Sequence, residues 1–164
     1  MTGVAPTLHH IVYQPLDREY EANRFEDFIR VPVTEALLVE GHGIQGDQKA
    51  GHNPKRHLNV LSREWLDSLK PHGYRTEPGQ FGEQLIVGGI DVAALEPGDR
   101  LTIGDNAMIE ITKARTGCSR LQAAQGRSME VTGGSIGMLA RVVAGGVIRV
   151  GDRVGVVRRV EVEG

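Results

Sequence analysis

The chain has 164 residues, a net charge of −2 and a single cysteine. This length fits one domain, and a lone cysteine excludes an internal disulfide. Interspersed charges and an aromatic content of 4% argue against a nucleic-acid partner. The N-terminus lacks a signal-peptide pattern and no apolar run is long enough to cross a bilayer, so we expect a cytoplasmic protein with no membrane partner.

Short apolar runs separated by glycine turns recur along the chain and predict a mostly β structure. Strands are predicted at residues 8–13, 33–40, 56–61, 85–87, 100–103, 107–114, 139–143, 147–150 and 154–162. Residues 17–30 show only weak helical spacing. The sequence Ala144-Gly145-Gly146 predicts a hairpin between the two strands that flank it.

One helix is predicted after residue 61. Ser62 is a good N-cap, Leu61 and Leu66 have the spacing of a hydrophobic staple, and the glycine-containing segment 70–73 ends the helix. Two further segments, 97–103 and 150–156, each contain a Gly-Asp turn followed by an arginine that opens a strand. Together these patterns predict one domain, residues 1–164, built as a closed or partly closed β-barrel with one or two short helices.

The most informative segment is the turn Arg115-Thr116-Gly117-Cys118-Ser119-Arg120, which directly follows a predicted strand. Arginines near a thiol favour the thiolate, the form that attacks electrophiles and binds metals. A free cysteine is often only a small buried apolar residue. Polar and charged neighbours are poor core material, and they favour a functional thiol at Cys118.

Two further segments are candidates for ligand binding. The loop Gly46-Asp47-Gln48-Lys49-Ala50-Gly51-His52 offers backbone amides to an anion, and Lys49 and His52 add positive charge or hydrogen-bond donors. The alternative is a solvated loop in which Asp47 caps a turn. On the strand 56–61, His57 and Asn59 face away from the expected core and are candidate ligand contacts at a barrel mouth; a half-exposed strand is equally compatible. The histidines lack the spacing of a zinc site.

The turn Pro78-Gly79-Gln80-Phe81-Gly82-Glu83 has a structural interpretation. Phe81 is expected to fill the core, and Glu83 is expected to hold neighbouring loop amides.

In their order along the chain, these segments resemble the MOSC domain, which occurs at the C-terminus of molybdenum cofactor sulfurases and as small free-standing proteins. The resemblance rests on Gly43-Ile44-Gln45-Gly46-Asp47 with Ala50-Gly51, on segments 56–61 and 78–85, on Gly98-Asp99-Arg100-Leu101-Thr102-Ile103-Gly104 and segment 109–112, on Arg115 with Cys118, and on segments 140–142 and 146–154. It covers residues 33–154. It implies a MOSC-type barrel that binds the molybdenum cofactor.

The resemblance also implies roles for individual residues. Cys118 takes the place of the family cysteine, which carries sulfur as a persulfide or ligates molybdenum as a thiolate. The expected contacts to a phosphate-bearing pterin are Lys49, His52, Arg56, His57, Asn59, Arg115 and Thr116. Asp47 and Glu83 are expected to brace loops rather than to touch an anion.

Three positions depart from the family pattern: Lys49 replaces a histidine, Gln84 an asparagine and Gly117 a proline. The pyridoxal-phosphate sulfurase domain is also absent from this chain, so that cofactor would act only through a partner.

Three functions are consistent with these features. The first is a sulfur carrier or cofactor-handling protein supplied by a cysteine desulfurase-like donor. The second is a small reductase of N-hydroxylated compounds that takes electrons from a flavoprotein. The third is a non-catalytic interaction module.

Overall fold

The structure is a computed structural model that describes residues 5–16, 31–116 and 135–159, without the side chains of Thr116 and Ser135. The weakly helical segment 17–30 lies outside this part. The described strands are β1 (Thr7–Tyr13), β2 (Val31–Val33), β3 (Glu35–Val39), β4 (Gly43–Ile44), β5 (Leu58–Ser62), β6 (Leu85–Gly88), β7 (Arg100–Ile103), β8 (Ala107–Thr116), β9 (Ser135–Ala144), β10 (Gly146–Arg149) and β11 (Val154–Val157). One α-helix, α1 (Arg63–Leu69), and two single-turn 3₁₀ helices, Lys70–His72 and Val92–Ala94, complete the described elements.

The strands form two sheets. Eight of them pair in the order β11-β7-β8-β9-β5-β6-β1-β2, and the other three pair as β10-β3-β4. Strands β5 and β6 are parallel, and α1 lies in the connection between them, as a parallel crossover requires. Strand β5 therefore lies between β6 and β9 in the interior of the larger sheet.

Most predicted strands are confirmed, but the predicted hairpin at Gly145 is wrong. Strand β9 pairs with β8 and β5, whereas β10 pairs with β3 in the other sheet. The Cβ of any larger residue at Gly145 would lie 2.8 Å from the carbonyl oxygen of Leu38 on β3. The glycines at this point therefore carry the chain from one sheet to the other instead of turning it back on itself.

The larger sheet buries apolar side chains on both faces around β5. Leu58 and Val60 belong to the main core, whereas Leu61 belongs to a second cluster with Phe81 and residues of α1. On β9, Met138 faces the main core and Ile136 the second cluster, although residues two apart on a regular strand share a face. A register shift between β8 and β9 accounts for the change of face.

Gly137 lies at that irregularity with φ of 74°. A Cβ there would approach the Val60 carbonyl oxygen to 2.3 Å, so both the backbone angle and the close strand contact require glycine.

The predicted start of α1 is confirmed. The Ser62 hydroxyl accepts a hydrogen bond from the Trp65 N–H at 3.3 Å, and both staple residues are buried in the second cluster. Gly73, with φ of 85°, follows the 3₁₀ turn that ends the helical segment. The helix thus covers the outer face of β5 and β6.

The two Gly-Asp segments adopt the same turn. Asp99 accepts the Glu96 N–H and Asp152 accepts the Arg149 N–H, both at 2.8 Å. Asp99 also accepts the Arg159 N–H, and these backbone bonds, with the Arg158 guanidinium, lower its pKa to about 2 although burial acts in the opposite direction. The two turns precede β7 and β11, which pair with each other.

The mostly β class is confirmed, while barrel closure stays a prediction. Near the start of β1, Leu8 donates to Asp152 and Val154 donates to Pro6, and Thr7 forms a single bridge with Arg153. These contacts bring β1 beside the turn that precedes β11 without joining the two strands in one ladder. Among the described residues, no helix combines the length and apolarity needed to span a bilayer.

Candidate functional site

The turn before β6 is built around a buried carboxylate. Glu83 is fully buried, and its two oxygens accept the N–H groups of Gly79 at 2.8 Å and Phe81 at 3.1 Å. The Phe81 ring packs against Trp65 in an edge-to-face contact with centroids 5.4 Å apart. Both predictions for this turn are confirmed: Phe81 fills a core, and Glu83 holds loop amides.

Arg115 ties this turn to the end of β8. Its guanidinium is buried and donates to the Phe81 carbonyl oxygen at 2.7 Å. Both backbone polar groups of Phe81 are therefore hydrogen-bonded, because its N–H donates to Glu83 and its carbonyl oxygen accepts from Arg115. A buried guanidinium is consequently fixed on the outer face of the sheet, where β8 leads toward the cysteine-containing segment.

A chain of polar side chains joins the glycine-rich loop to β5. The buried Asp47 carboxylate accepts the Gln14 N–H at 3.0 Å and the Gln84 side-chain amide at 3.3 Å. The side-chain oxygen of Gln84 accepts the backbone N–H of Asn59 at 2.7 Å, and the backbone N–H of Gln84 donates to the backbone carbonyl oxygen of Asn59 at 3.0 Å. Asp47 thus braces loops, as predicted, and Gln84 makes bonds in two directions.

The Asn59 side chain differs from its surroundings. It alternates with Leu58 and Val60, which face the main core, so it lies on the outer face of β5. The residue is only 5% exposed, yet neither Oδ1 nor Nδ2 has a hydrogen-bond partner in the described part of the chain. Buried polar atoms are normally paired, so this carboxamide requires an explanation.

The predicted cationic contacts Lys49, His52 and Arg56 lie on the exposed loop that connects β4 to β5. The His52 ring lies 2.9 Å from the Gln48 carbonyl oxygen, so one ring nitrogen is engaged within the loop. The Thr112 hydroxyl donates to the Lys55 carbonyl, which attaches the end of this loop to β8. The loop that carries Arg56 and the strand that carries Arg115 are therefore directly connected.

His57 has a structural contact. Its Nδ1 accepts the Val142 N–H at 3.0 Å, so the side chain replaces a strand carbonyl at the end of the β5–β9 ladder. Burial lowers the pKa of this imidazole below its ordinary value of 6.5, and the neighbouring His42 and Arg141 act in the same direction. The ring is held neutral as a brace; its predicted contact with a ligand stays a prediction.

The structure thus relates most of the predicted site residues to one another. Asn59 and Arg115 share the outer face of the larger sheet, and Arg56 lies on a loop attached to that sheet. Cys118 and the Thr116 side chain lie outside the described residues, so their predicted roles are untested. Within the described ranges, no group of three or more His, Cys, Asp or Glu side chains is arranged to hold a metal.

Two connecting residues were not predicted from the sequence. The sequence distinguishes Gln84 by its departure from the family pattern, but it predicts no hydrogen bond for Gln84 or for Thr112. Their partners Asp47 and Lys55 are 37 and 57 positions away in the sequence, and no local pattern signals such contacts.

The sequence matches a protein-family model. The family model described as MOSC domain matches residues 47–155, about two thirds of the chain. No curated protein matches the sequence.

Solved structures share the fold. The crystal structure of the YUAD protein from Bacillus subtilis has a TM-score of 0.72 at 18% identity, covering 94% of this chain and 97% of that one. YiiM from Escherichia coli has a TM-score of 0.65 at 25% identity, covering 94% and 71%. YiiM from Geobacillus stearothermophilus has a TM-score of 0.64 at 20% identity, covering 96% and 75%.

Proposed function

This chain belongs to the MOSC domain family, and from that premise we propose that it binds the molybdenum cofactor and handles sulfur through Cys118. The observation that carries the proposal is the family match, which spans Cys118, together with the buried guanidinium of Arg115 fixed three residues before it. Three residues of extended chain span roughly 11 Å at most, which limits the separation of the two α-carbons. A nearby cation favours the thiolate.

The described residues suit a phosphate-bearing pterin. Lys49, His52 and Arg56 offer cationic or hydrogen-bonding groups to the phosphate from the loop before β5, and the buried Arg115 adds a positive charge at the end of β8. The Asn59 carboxamide is an unused donor and acceptor on the same sheet. When bound, the cofactor supplies a metal centre that accepts a soft thiolate ligand.

As a sulfur carrier, Cys118 performs a balanced exchange. Its thiolate attacks the terminal sulfur of a persulfide on a cysteine desulfurase-like donor. The new bond joins that sulfur to Cys118, the sulfur–sulfur bond of the donor breaks, and the donor cysteine leaves as a thiolate. The exchange requires no outside oxidant, and the chain needs only a donor as its partner.

The cofactor half of the proposal is tested by the pterin that the protein retains. Wild-type protein from a molybdenum-replete host is dialysed at low and at high salt, and the pterin per chain is measured by fluorescence after oxidative release. We expect Arg56→Gln to retain less pterin than wild type, with the larger difference at low salt, because salt screens the contribution of this exposed charge. Arg153→Gln removes the same charge from an exposed position before β11 and serves as the matched control. Equal retention in wild type and both variants would contradict the cationic contact.

The sulfur half is tested by mass spectrometry. After incubation with a cysteine desulfurase and cysteine, wild-type protein is expected to gain the mass of one sulfur atom, and Cys118→Ser is expected to gain none. A protein that retains pterin, gains no sulfur and reduces an N-hydroxylated compound with an added flavoprotein would instead support the reductase. Failure of all three assays would leave the interaction module.

A further inference from the structure

The unpaired carboxamide of Asn59 is the least explained feature of the described residues. Its backbone is fully bonded, because the N–H donates to Gln84 and the carbonyl accepts from Gln84. Only the side chain is unsatisfied, because its two polar atoms are buried and have no hydrogen-bond partner among the described residues. Burying an unpaired donor and an unpaired acceptor carries a desolvation penalty for each, and an apolar residue of similar size would avoid both.

The position of Asn59 is rigid. Strand β5 lies between two other strands of the larger sheet, and the Gln84 side chain that holds the Asn59 N–H is itself bonded to the buried Asp47 carboxylate. A side chain on such a support cannot easily move to find a partner elsewhere. Rigid elements with supported neighbours are where precise recognition groups are placed.

A carboxamide offers one acceptor and two donor hydrogens in a plane. Its complement is a group with an N–H beside a carbonyl, held cis in a ring. The pyrimidine ring of a pterin carries such an edge, and so does guanine.

We propose that Asn59 recognises this cis-amide edge of a bound pterin, accepting from the ring N–H at Oδ1 and donating to the ring carbonyl from Nδ2. The inference rests on the proposed function and deepens it, because it makes Asn59 a specificity-determining residue for the heterocycle rather than for the phosphate. Oδ1 and Nδ2 of Asn59 are both enclosed, so a ligand can bind them only when the surrounding atoms move apart.

The proposal makes two opposite predictions for one substitution. In Asn59→Leu the ligand-free protein gains thermal stability, because two unpaired polar atoms are replaced by an apolar side chain of similar size. The same variant binds pterin at least about tenfold more weakly, because two hydrogen bonds are lost. A purely structural role for Asn59 predicts a loss of stability instead. Asn106→Leu, the same change in the exposed turn between β7 and β8, is the control.

The experiment titrates free pterin and, separately, guanosine into wild type and both variants by fluorescence quenching and calorimetry, beside thermal unfolding without ligand. Higher stability and weaker pterin binding in Asn59→Leu alone would support the proposal. Unchanged pterin affinity, or lower stability, would overturn it while leaving the proposed function intact. Tighter binding of guanosine than of pterin would overturn the pterin assignment.

Two further outcomes are also decisive. If Asn59→Leu does not fold, Asn59→Ala is titrated in its place, and pterin affinity equal to wild type overturns the inference. If wild type binds no pterin and retains none from a molybdenum-replete host, the proposed function fails and the inference fails with it.

Discussion

Replacing Glu83 by glutamine tests whether its carboxylate stabilises the turn that precedes β6. The carboxylate is fully buried and accepts two N–H groups, from Gly79 and Phe81. Hydrogen bonds to a charged group contribute about 1.5–3 kcal/mol each. Glutamine keeps one oxygen acceptor and turns its amide nitrogen toward the other N–H, so one bond weakens and one is lost. We expect a loss of about 3 kcal/mol in the free energy of unfolding.

For a chain of this size, 1 kcal/mol changes the melting temperature by about 2–4 °C, so Glu83→Gln is expected to melt roughly 6–12 °C below wild type. Calorimetry and denaturant titration measure the two quantities independently. Glu40→Gln makes the same chemical change at an exposed position and controls for loss of charge. If both variants melt within about 2 °C of each other, the Glu83 carboxylate does not hold the turn.

Three further predictions concern the framework. Gly137→Ala is expected to destabilise the fold clearly more than Gly41→Ala. The two glycines have similar φ angles, 74° and 71°, so both variants carry the same backbone strain of about 1–2 kcal/mol, but of the two only Gly137 has backbone atoms within 4 Å of the added Cβ. Equal melting temperatures of the two variants would refute the close contact. The lowered pKa of His57 means that its neutral form stabilises the fold above the unfolded value of 6.5, and that this stability is lost as pH falls through the lower folded value. Urea midpoints between pH 7.5 and 5.5 should therefore fall less in His57→Gln than in wild type, and parallel curves would contradict this. Asp99, with its pKa lowered from 3.8 to about 2, stabilises the fold above pH 3.8, and this contribution is lost as the pH falls between those two values. Asp99→Asn is therefore expected to be less stable than wild type at pH 5 and to lose less stability on acidification, as followed by circular dichroism. An acid transition identical to that of wild type would contradict this role of Asp99.

Features set by local chemistry were predictable from the sequence. Ser62 caps α1 through an N–H three residues ahead, and Glu83 bonds amides within four residues, so short-range patterns were sufficient. Strand positions followed from alternation of apolar residues, because one or both faces of these strands pack against a core.

Features that depend on distant partners were not predictable. Nothing near Gly145 indicates that the following strand pairs with β3, more than a hundred residues earlier in the chain. The unpaired state of Asn59 is likewise a property of its neighbours on other strands and of Gln84, not of its own segment. The alternation along the strand predicts that Asn59 faces away from the core, but only the assembled sheet reveals that its side chain is buried with no partner in the described ranges.

The proposed place of Cys118 in a cofactor site can be tested through the molybdenum content of the protein. Wild type, Cys118→Ser and the control Ser119→Ala are purified from a molybdenum-replete host, and molybdenum and pterin are measured per folded chain. We expect metal and pterin in wild type and Ser119→Ala, and a loss of molybdenum in Cys118→Ser with the melting temperature of the ligand-free protein unchanged. Molybdenum retained by Cys118→Ser at the wild-type level would contradict the role of this thiol as a metal ligand.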